Sequence, residues 1–312
     1  MGIYLGTSEL GGGSAGGGGY IPGIIGFEYF ALSGGGGGIS GGAYGHGGGG
    51  AGSLVHGFAY AQKDVSIPIV IGAGGSSAKG GDTIIGEGLL ITTILGGWAG
   101  TYKTDLTDDF GTCPGGRGST TGSDTALARK GNGFTSKGTI IGVLDTPAVN
   151  GSAKTINETG TPFTNGRTYG FSGPGGAGLG GNAADAAYNT GSVGGIGLDP
   201  TTITDRFLTQ AEYQTEGIGE VTSSVAYIGG GGSGRTSSRA NPPGGGGAQN
   251  NSGLANTGGG GGAGSGSGGS GFAMLRLPTS QSVTTVGVSN TYTKGDDTVY
   301  VWKSTGSITL NS

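Results

Sequence analysis

The chain has 312 residues, 83 of them glycine and 10 proline, with a net charge of −4 and only 11% charged side chains. Collagen is excluded, because runs such as 258–271 (GGGGGAGSGSGGSG) keep no Gly-X-Y frame and hold no proline, while 12 Tyr, 9 Phe and 2 Trp in so weakly charged a chain argue against simple disorder. The lone cysteine, Cys113, excludes an internal disulfide framework or a multi-cysteine zinc site, no stretch approaches the ~18 apolar residues of a membrane helix, and the mild acidity does not suit nucleic acid.

Residues 1–33 read as a short strand, a glycine spacer (Gly11–Gly19) and an apolar segment around Ile24–Phe30, whose adjacent isoleucines leave its period ambiguous. The first residues, MGIYLGTSEL, have neither the basic region nor the apolar core of a secretion signal. Gly6 stands where myristoylation needs Ser or Thr. Glycine blocks follow at 34–38, 45–52 and 72–75. Between the last two, Phe58–Tyr60 and Val65–Ile71 are expected to pair as strands, with Pro68 marking an edge. Asp82–Ile85 and Leu89–Leu95 form a second expected pair, turning around Gly86-Glu87-Gly88.

Two insertions then break the glycine pattern. The first, 100–169, holds most of the polar variety; the second, 198–228, contains DRFLTQAEYQTEG, where Phe207, Leu208 and Ala211 would share one face of a short helix. Loops of this length are functional or disordered. Glycine returns in blocks between 170 and 271, and strands are expected at Phe272–Leu277, around Thr291, at Val299–Lys303 and at Ser307–Leu310. No heptads encode a coiled-coil shaft.

So much glycine must be offset by something only glycine permits, since each fixed glycine costs roughly 0.5–1 kcal/mol more than alanine. Close backbone approach is the candidate: polyproline-II-like glycine strands have no internal hydrogen bonds and can satisfy N–H and C=O groups laterally. The expected fold is mainly β and irregular, a polyglycine-II helix bundle with short β-hairpins, a β-rich C-terminal tail and little α-helix. Its expected divisions are 1–33 (attachment strand and tether), 34–277 (glycine-rich bundle with the insertions 100–169 and 198–228) and 278–312 (β tail).

Several landmarks occur in order. Asn256-Thr257 followed by GGGGGAGSGSGGSG and Phe272-Ala-Met-Leu-Arg276-Leu resembles the closing signature of the glycine-rich phage tail-fibre domain family. Glu28-Tyr29-Phe30-Ala-Leu-Ser-Gly34 resembles that family's entry, although the aromatic spacing departs from its pattern. Ile69-Val-Ile71-Gly-Ala-Gly-Gly75 resembles its turn, 81–97 its hairpin, and Tyr300-Val-Trp302…Gly306-Ser-Ile308-Thr its final strands. The resemblance runs from about residue 30 to 312, and the insertions match nothing in it. Gly2–Leu10 looks like the short peptide with which many marine phage tail components begin, which makes Ile3, Tyr4, Leu5 and Leu10 candidate virion-attachment residues. The resemblance implies a virion tail protein acting outside the cell, polyglycine-II packing and exposed variable loops, with no catalytic residues and no cofactor. It implies contact with other virion tail proteins, homotrimer as the default state, and a host-surface glycan or outer-membrane protein as the target.

Sharper chemistry is matched by plainer alternatives. Gly45–Gly50 satisfies G-x-G-x-x-G by chance composition, without the strand and helix that a nucleotide site needs. Gly194–Asp199 fits the start of a calcium nonapeptide but lacks tandem copies, and 180–185 only comes close. His46 and His56 have no ligand-spaced companions; Asp105, Asp108 and Asp109 read as a solvated loop or a cation-facing one. The aromatics Trp98, Tyr102, Phe110, Phe207 and Tyr213 lie outside the glycine blocks. They are the candidate receptor-contacting residues, for stacking on sugars or lipids, and equally candidates for capping the bundle ends. Against the adhesin reading stand a purely structural connector, baseplate or collar subunit and a secreted matrix protein, the latter disfavoured by the absence of a signal segment.

Overall fold

The computed structural model describes residues 23–39, 46–86, 92–102, 117–118, 175–181, 183, 192–235, 241 and 243–312. Two five-stranded antiparallel sheets carry the side-chain core. The first has the order β12 (Asn290–Lys294), β13 (Asp297–Trp302), β10 (Phe272–Pro278), β1 (Ile24–Leu32) and β2 (Leu54–Gln62). The second runs β11 (Val283–Val286), β14 (Gly306–Leu310), β3 (Ser66–Val70), β4 (Thr83–Ile85) and β5 (Thr92–Ile94). A parallel contact joins β6 (Thr101–Tyr102) to β7 (Arg117–Gly118), and β8 (Glu220–Thr222) forms a hairpin with β9 (Val225–Tyr227). The chain is mainly β with one short α-helix among the described residues.

β1 is covered on both faces, which explains its ambiguous sequence period. Phe27, Tyr29 and Ala31 point into the core shared with the second sheet, beside Ile67, Ile69, Ile85, Ile94 and Ile308. Phe30 and Leu32 point the other way, into a core shared with Phe207, Leu208, Tyr213 and Ile218 of the segment 198–228. The expected division at 33/34 and 277/278 is not how the sheets form. β1 pairs with β10 (Leu32 opposite Phe272), β10 pairs with β13, and β14 pairs with β3. Residues 24–32 are thus a central strand of the first sheet, and 283–310 complete both sheets.

The expected pairing of Phe58–Tyr60 with Val65–Ile71 is corrected. β2 edges the first sheet while β3 lies within the second, and the chain crosses between them at Lys63–Val65, with Asp64 in the left-handed region (φ 61°). Nor is Pro68 on an edge strand. It faces Gly86, whose N–H donates to the Pro68 carbonyl at 2.9 Å; proline has no N–H to return, and β4 stops at Ile85. The pairing of β4 with β5 is as expected, Ile85 facing Thr92.

At one end of the sandwich β1, β2, β3, β4, β5 and β10 pass directly into glycine segments. There the hydrogen-bond period changes from two to three. Gly34 and Gly37 donate to the carbonyls of Gly81 and Ala78; Gly35 and Gly38 to Gly269 and Gly266; Gly36 and Ile39 to Gly50 and Gly47. The same segment's carbonyls accept from Gly97 and Gly100, from Gly75, and from Gly261 and Gly264. Every third residue returns to the same neighbour, as a three-residue screw requires and a β-ladder does not. The segment 229–234 repeats the pattern: Gly230 and Ser233 donate to Gly244 and Gly247, Gly231 and Gly234 to Gly195 and Ser192. The glycine blocks are therefore rods of a laterally bonded lattice.

Glycine is required there for space. A Cβ on Gly36 would sit 2.0 Å from the Trp98 carbonyl oxygen, and one on Gly38 1.9 Å from that of Gly262. Buried hydroxyls manage the change of period at the junction. Ser33 donates to the Leu95 carbonyl (2.6 Å) and accepts from the Ser53 N–H (2.8 Å). Thr83 donates to the Leu32 carbonyl (2.9 Å) and accepts from the Gly72 N–H (3.0 Å). Both side chains are fully buried and connect the two sheets.

The segment 198–228 covers the outer face of the first sheet. Its helix α1 (Gln210–Glu216) starts later than Phe207, because Thr209 closes a capping box with Glu212, and it ends at Gly217 in the left-handed region (φ 63°). Phe207 and Leu208 precede the cap instead of sharing a helical face, and Ala211 is exposed. Leu208 and Tyr213 occupy the two positions of a hydrophobic staple and are buried in one cluster.

Candidate recognition pole of the glycine lattice

The rods have two ends, and one of them opens into the sandwich. At the other, a set of bonds gathers the points where the chain leaves the lattice. Gly264 donates to the Ile39 carbonyl (2.9 Å), Arg235 to that of His46 (3.2 Å), Gly100 to that of Gly37 (2.9 Å), and Gly234 to that of Ser192 (2.9 Å). Gly175 donates to the Ser192 hydroxyl oxygen (2.9 Å). The stretches 40–45, 103–116, 119–174 and 236–240, which lie outside the described residues, are joined to this pole. The tight turn that closes it on one side needs Gly264, at φ 103°. Function concentrates on loops held by a fixed scaffold, so this pole is the candidate site.

The expected receptor residues separate. Trp98 lies midway along a rod, level with Gly36, 36% exposed, with its carbonyl accepting from Gly50. Tyr102 lies in β6, its backbone opposite Gly118. Phe207 and Tyr213 are corrected: both are fully buried, because the segment carrying them seals the sheet, with the Phe207 ring 5.7 Å from that of Phe30. These two pack against the outer face of the first sheet, in one cluster with Phe30 and Met274. Phe110, Cys113, Asp105, Asp108 and Asp109, and the attachment residues Ile3, Tyr4, Leu5 and Leu10, lie outside the described residues.

The glycine motifs resolve locally. The amides of Gly49 and Gly50 already donate to Gly261 and Trp98, and the chain continues into β2, so the G-x-G-x-x-G match builds no phosphate cradle. The Asp199 carboxylate caps a 3-10 turn, accepting from the Thr201 N–H (2.9 Å), the Thr201 hydroxyl (2.7 Å) and Gln210 Nε2 (2.6 Å).

The sequence did not reveal the charged network that fastens the segment 198–228 to the first sheet. Glu28, 2% exposed, accepts from Arg276 (2.8 Å) and Arg206 (3.3 Å) and pairs with His56 Nε2 (2.8 Å). Arg276 also pairs with Asp297. Burial pushes the Glu28 carboxyl up, but the hydrogen bonds from His56 and Arg276 and the charge of Arg206 outweigh it and hold the group below the usual carboxylate range. Glu216 accepts from the Tyr292 hydroxyl (2.6 Å), Asn290 (2.8 Å) and Lys303 (3.1 Å), and Glu212 pairs with Lys294. Both carboxyls are likewise held low against the opposing effect of burial. Burial and the neighbouring Glu216 push Tyr292 up to about 12. Each carboxylate has a cationic partner across the interface, so the network acts as a clamp. The register that sets Glu28 opposite Arg276 and the covering segment that brings Arg206 assemble it together.

The family model described as a glycine-rich domain matches residues 20–278, which takes in the lattice, the segment 198–228 and most of the sandwich strands. No curated protein and no solved structure matches the chain.

Proposed function

The chain belongs to the glycine-rich domain family, and from that premise we propose that it is a bacteriophage tail-fibre or tail-tip protein that presents loops to the host surface during adsorption. The observation that carries this reading is the pole: the chain's longest departure from the glycine pattern, 100–169, is joined to one end of a laterally bonded scaffold, opposite the sandwich. Loops anchored on such a scaffold lose little further entropy on binding. Gly2–Leu10 serves in this reading as the attachment strand to other virion tail proteins, with a homotrimer as the working state and a host glycan or outer-membrane protein as the target. Burial of Phe207 and Tyr213 favours one alternative for the second insertion, a purely structural role as in a connector or collar subunit. The test is adsorption of phage carrying Trp98→Ala or Tyr102→Ala, both as folded proteins. Reduced adsorption supports recognition at the pole; wild-type adsorption by both variants supports the connector. Removal of residues 1–20 is expected to leave the fold intact and to abolish incorporation into virions, which immunoblotting of purified particles reads directly.

A further inference from the structure

Where the covering segment 198–228 turns back toward the lattice, a carboxylate meets two backbone amides. Glu220, the first residue of β8, places Oε2 2.9 Å from the Gly244 nitrogen and 2.8 Å from the Gly245 nitrogen, and both N–H groups donate to it. Two successive amides converging on one oxygen form a nest, a backbone concavity suited to an anion. Hydrogen bonds from backbone N–H groups to an ionised carboxylate are also stronger than those to a neutral acceptor.

The lattice, and not Glu220, sets this amide pair. Gly244 and Gly245 both lie at positive φ (129° and 78°), a conformation open to glycine. Their carbonyls are tied to two other segments, Gly244 accepting from Gly230 (2.7 Å) and Gly245 from Leu254 (2.8 Å). The preceding Pro243 carbonyl accepts from Gly197 (2.6 Å). Asn241 braces the same turn, its Nδ2 donating to the Gly246 carbonyl (3.0 Å) and its Oδ1 accepting from the Gly194 N–H (3.3 Å). A Cβ on Gly244 would sit 2.6 Å from the Gly197 Cα, and one on Gly245 2.2 Å from the Thr257 Oγ1, so neither position has room for a side chain. Donors held from several directions keep their aim whatever fills the site, and such preorganisation lowers the cost of binding.

We propose that the amide pair of Gly244 and Gly245 is a carboxylate-binding site built by the lattice. Glu220 is its internal ligand, and the site takes a free carboxylate once Glu220 is removed. In the intact chain the filled site fastens the hairpin β8–β9 to the rod that begins at Gly244. The proposal does not rest on host recognition, and an adsorption result of either sign leaves it standing.

Melting of the full chain carrying Glu220→Ala, followed by circular dichroism while sodium acetate replaces sodium chloride at constant ionic strength, tests it. The variant is expected to melt below wild type and to regain at least half of the loss along a saturating curve. Wild type, whose site is filled, is expected to stay where it is, and acetamide, neutral and of similar shape, to restore nothing. Glu220→Thr, which suits a strand and is too short to reach the amides, is expected to behave as the alanine variant does. In either variant, isotope-labelled, the amide signals of Gly244 and Gly245 are expected to move with acetate along the same curve. Acetate that shifts wild type and variants equally overturns the proposal. So does acetamide that matches acetate, or amide signals of Gly244 and Gly245 that do not move.

Discussion

The sandwich and the lattice are made from the same backbone and held by opposite means. In the sandwich, Trp302, Tyr29, Phe30 and Phe272 are fully buried, and apolar area removed from water stabilises the sheets. In the rods around Gly34–Gly38 almost no side chain exists to bury, and lateral N–H···O bonds of 2.8–3.1 Å with backbone-on-backbone contact take over. The first arrangement tolerates exchange of one apolar shape for another of similar volume. The second leaves no room for any atom beyond Cα, yet accepts alanine or serine at chosen positions such as Ala51, Ala177 and Ser233, all buried. Sequence variability should therefore be distributed differently in the two regions, even though one continues into the other.

The largest effect should come from adding a single methyl group to the lattice. Gly36→Ala would place Cβ 2.0 Å from a backbone oxygen that cannot rotate away, and a loss of more than ~5 kcal/mol is expected, beyond the ordinary range for point changes. Chemical denaturation followed by circular dichroism reads this. A variant within 1 kcal/mol of wild type, on the order of the usual surface substitution, would mean that the rods can separate. Removing a whole ring from the sandwich should cost less: Phe272→Ala is expected to lose about 3–5 kcal/mol through lost burial and the cavity left behind. If the ring deletion proves costlier than the methyl addition, the contrast between the regions is wrong.

Acid should act on the clamp between α1 and the first sheet. The carboxyls of Glu28, Glu212 and Glu216 are held low in the folded chain, so the unfolded chain binds more protons as pH falls through the ordinary carboxyl range. Their contribution is fully present above that range and is lost as pH drops through the depressed folded values. Denaturation midpoints measured from neutral pH downward should decline below about pH 5. Glu216→Gln, already weaker at neutral pH, should decline less steeply, and parallel slopes would detach Glu216 from the effect. The smallest effect concerns the Tyr213 hydroxyl, which is buried with no hydrogen-bond partner among the described residues. Tyr213→Phe should match or exceed wild-type stability by up to about 1 kcal/mol in a thermal melt, since an unsatisfied buried hydroxyl carries a desolvation cost.

Much of the local structure could be read from residue type. Glycine content and the lack of any Gly-X-Y frame pointed to laterally bonded rods, and the apolar runs at 272–277 and 299–303 pointed to strands. Beyond the local hairpin of β4 with β5, pairing could not be read. Leu32 meets Phe272 across most of the chain, and no local pattern encodes that register. β11 (VTTV) was missed because two of its four residues are polar and its side chains alternate between half-buried and exposed. Thr209-Gln-Ala-Glu212 was a legible capping box, and reading it would have placed the helix start after Phe207. The Glu28 network depends on register, arginine reach and a second layer at once, so it emerges only from the assembled chain.

The direct passage of β1, β2, β3, β4, β5 and β10 into rods has a mechanical side. No hinge peptide separates the pole from the sandwich along these paths, so a pull applied at the pole travels along covalent backbones lying side by side. The lateral hydrogen bonds lie across that pull and are loaded in shear, many at once, rather than peeled in sequence. A tether built this way resists extension along its axis and yields most readily to forces that pry neighbouring rods apart.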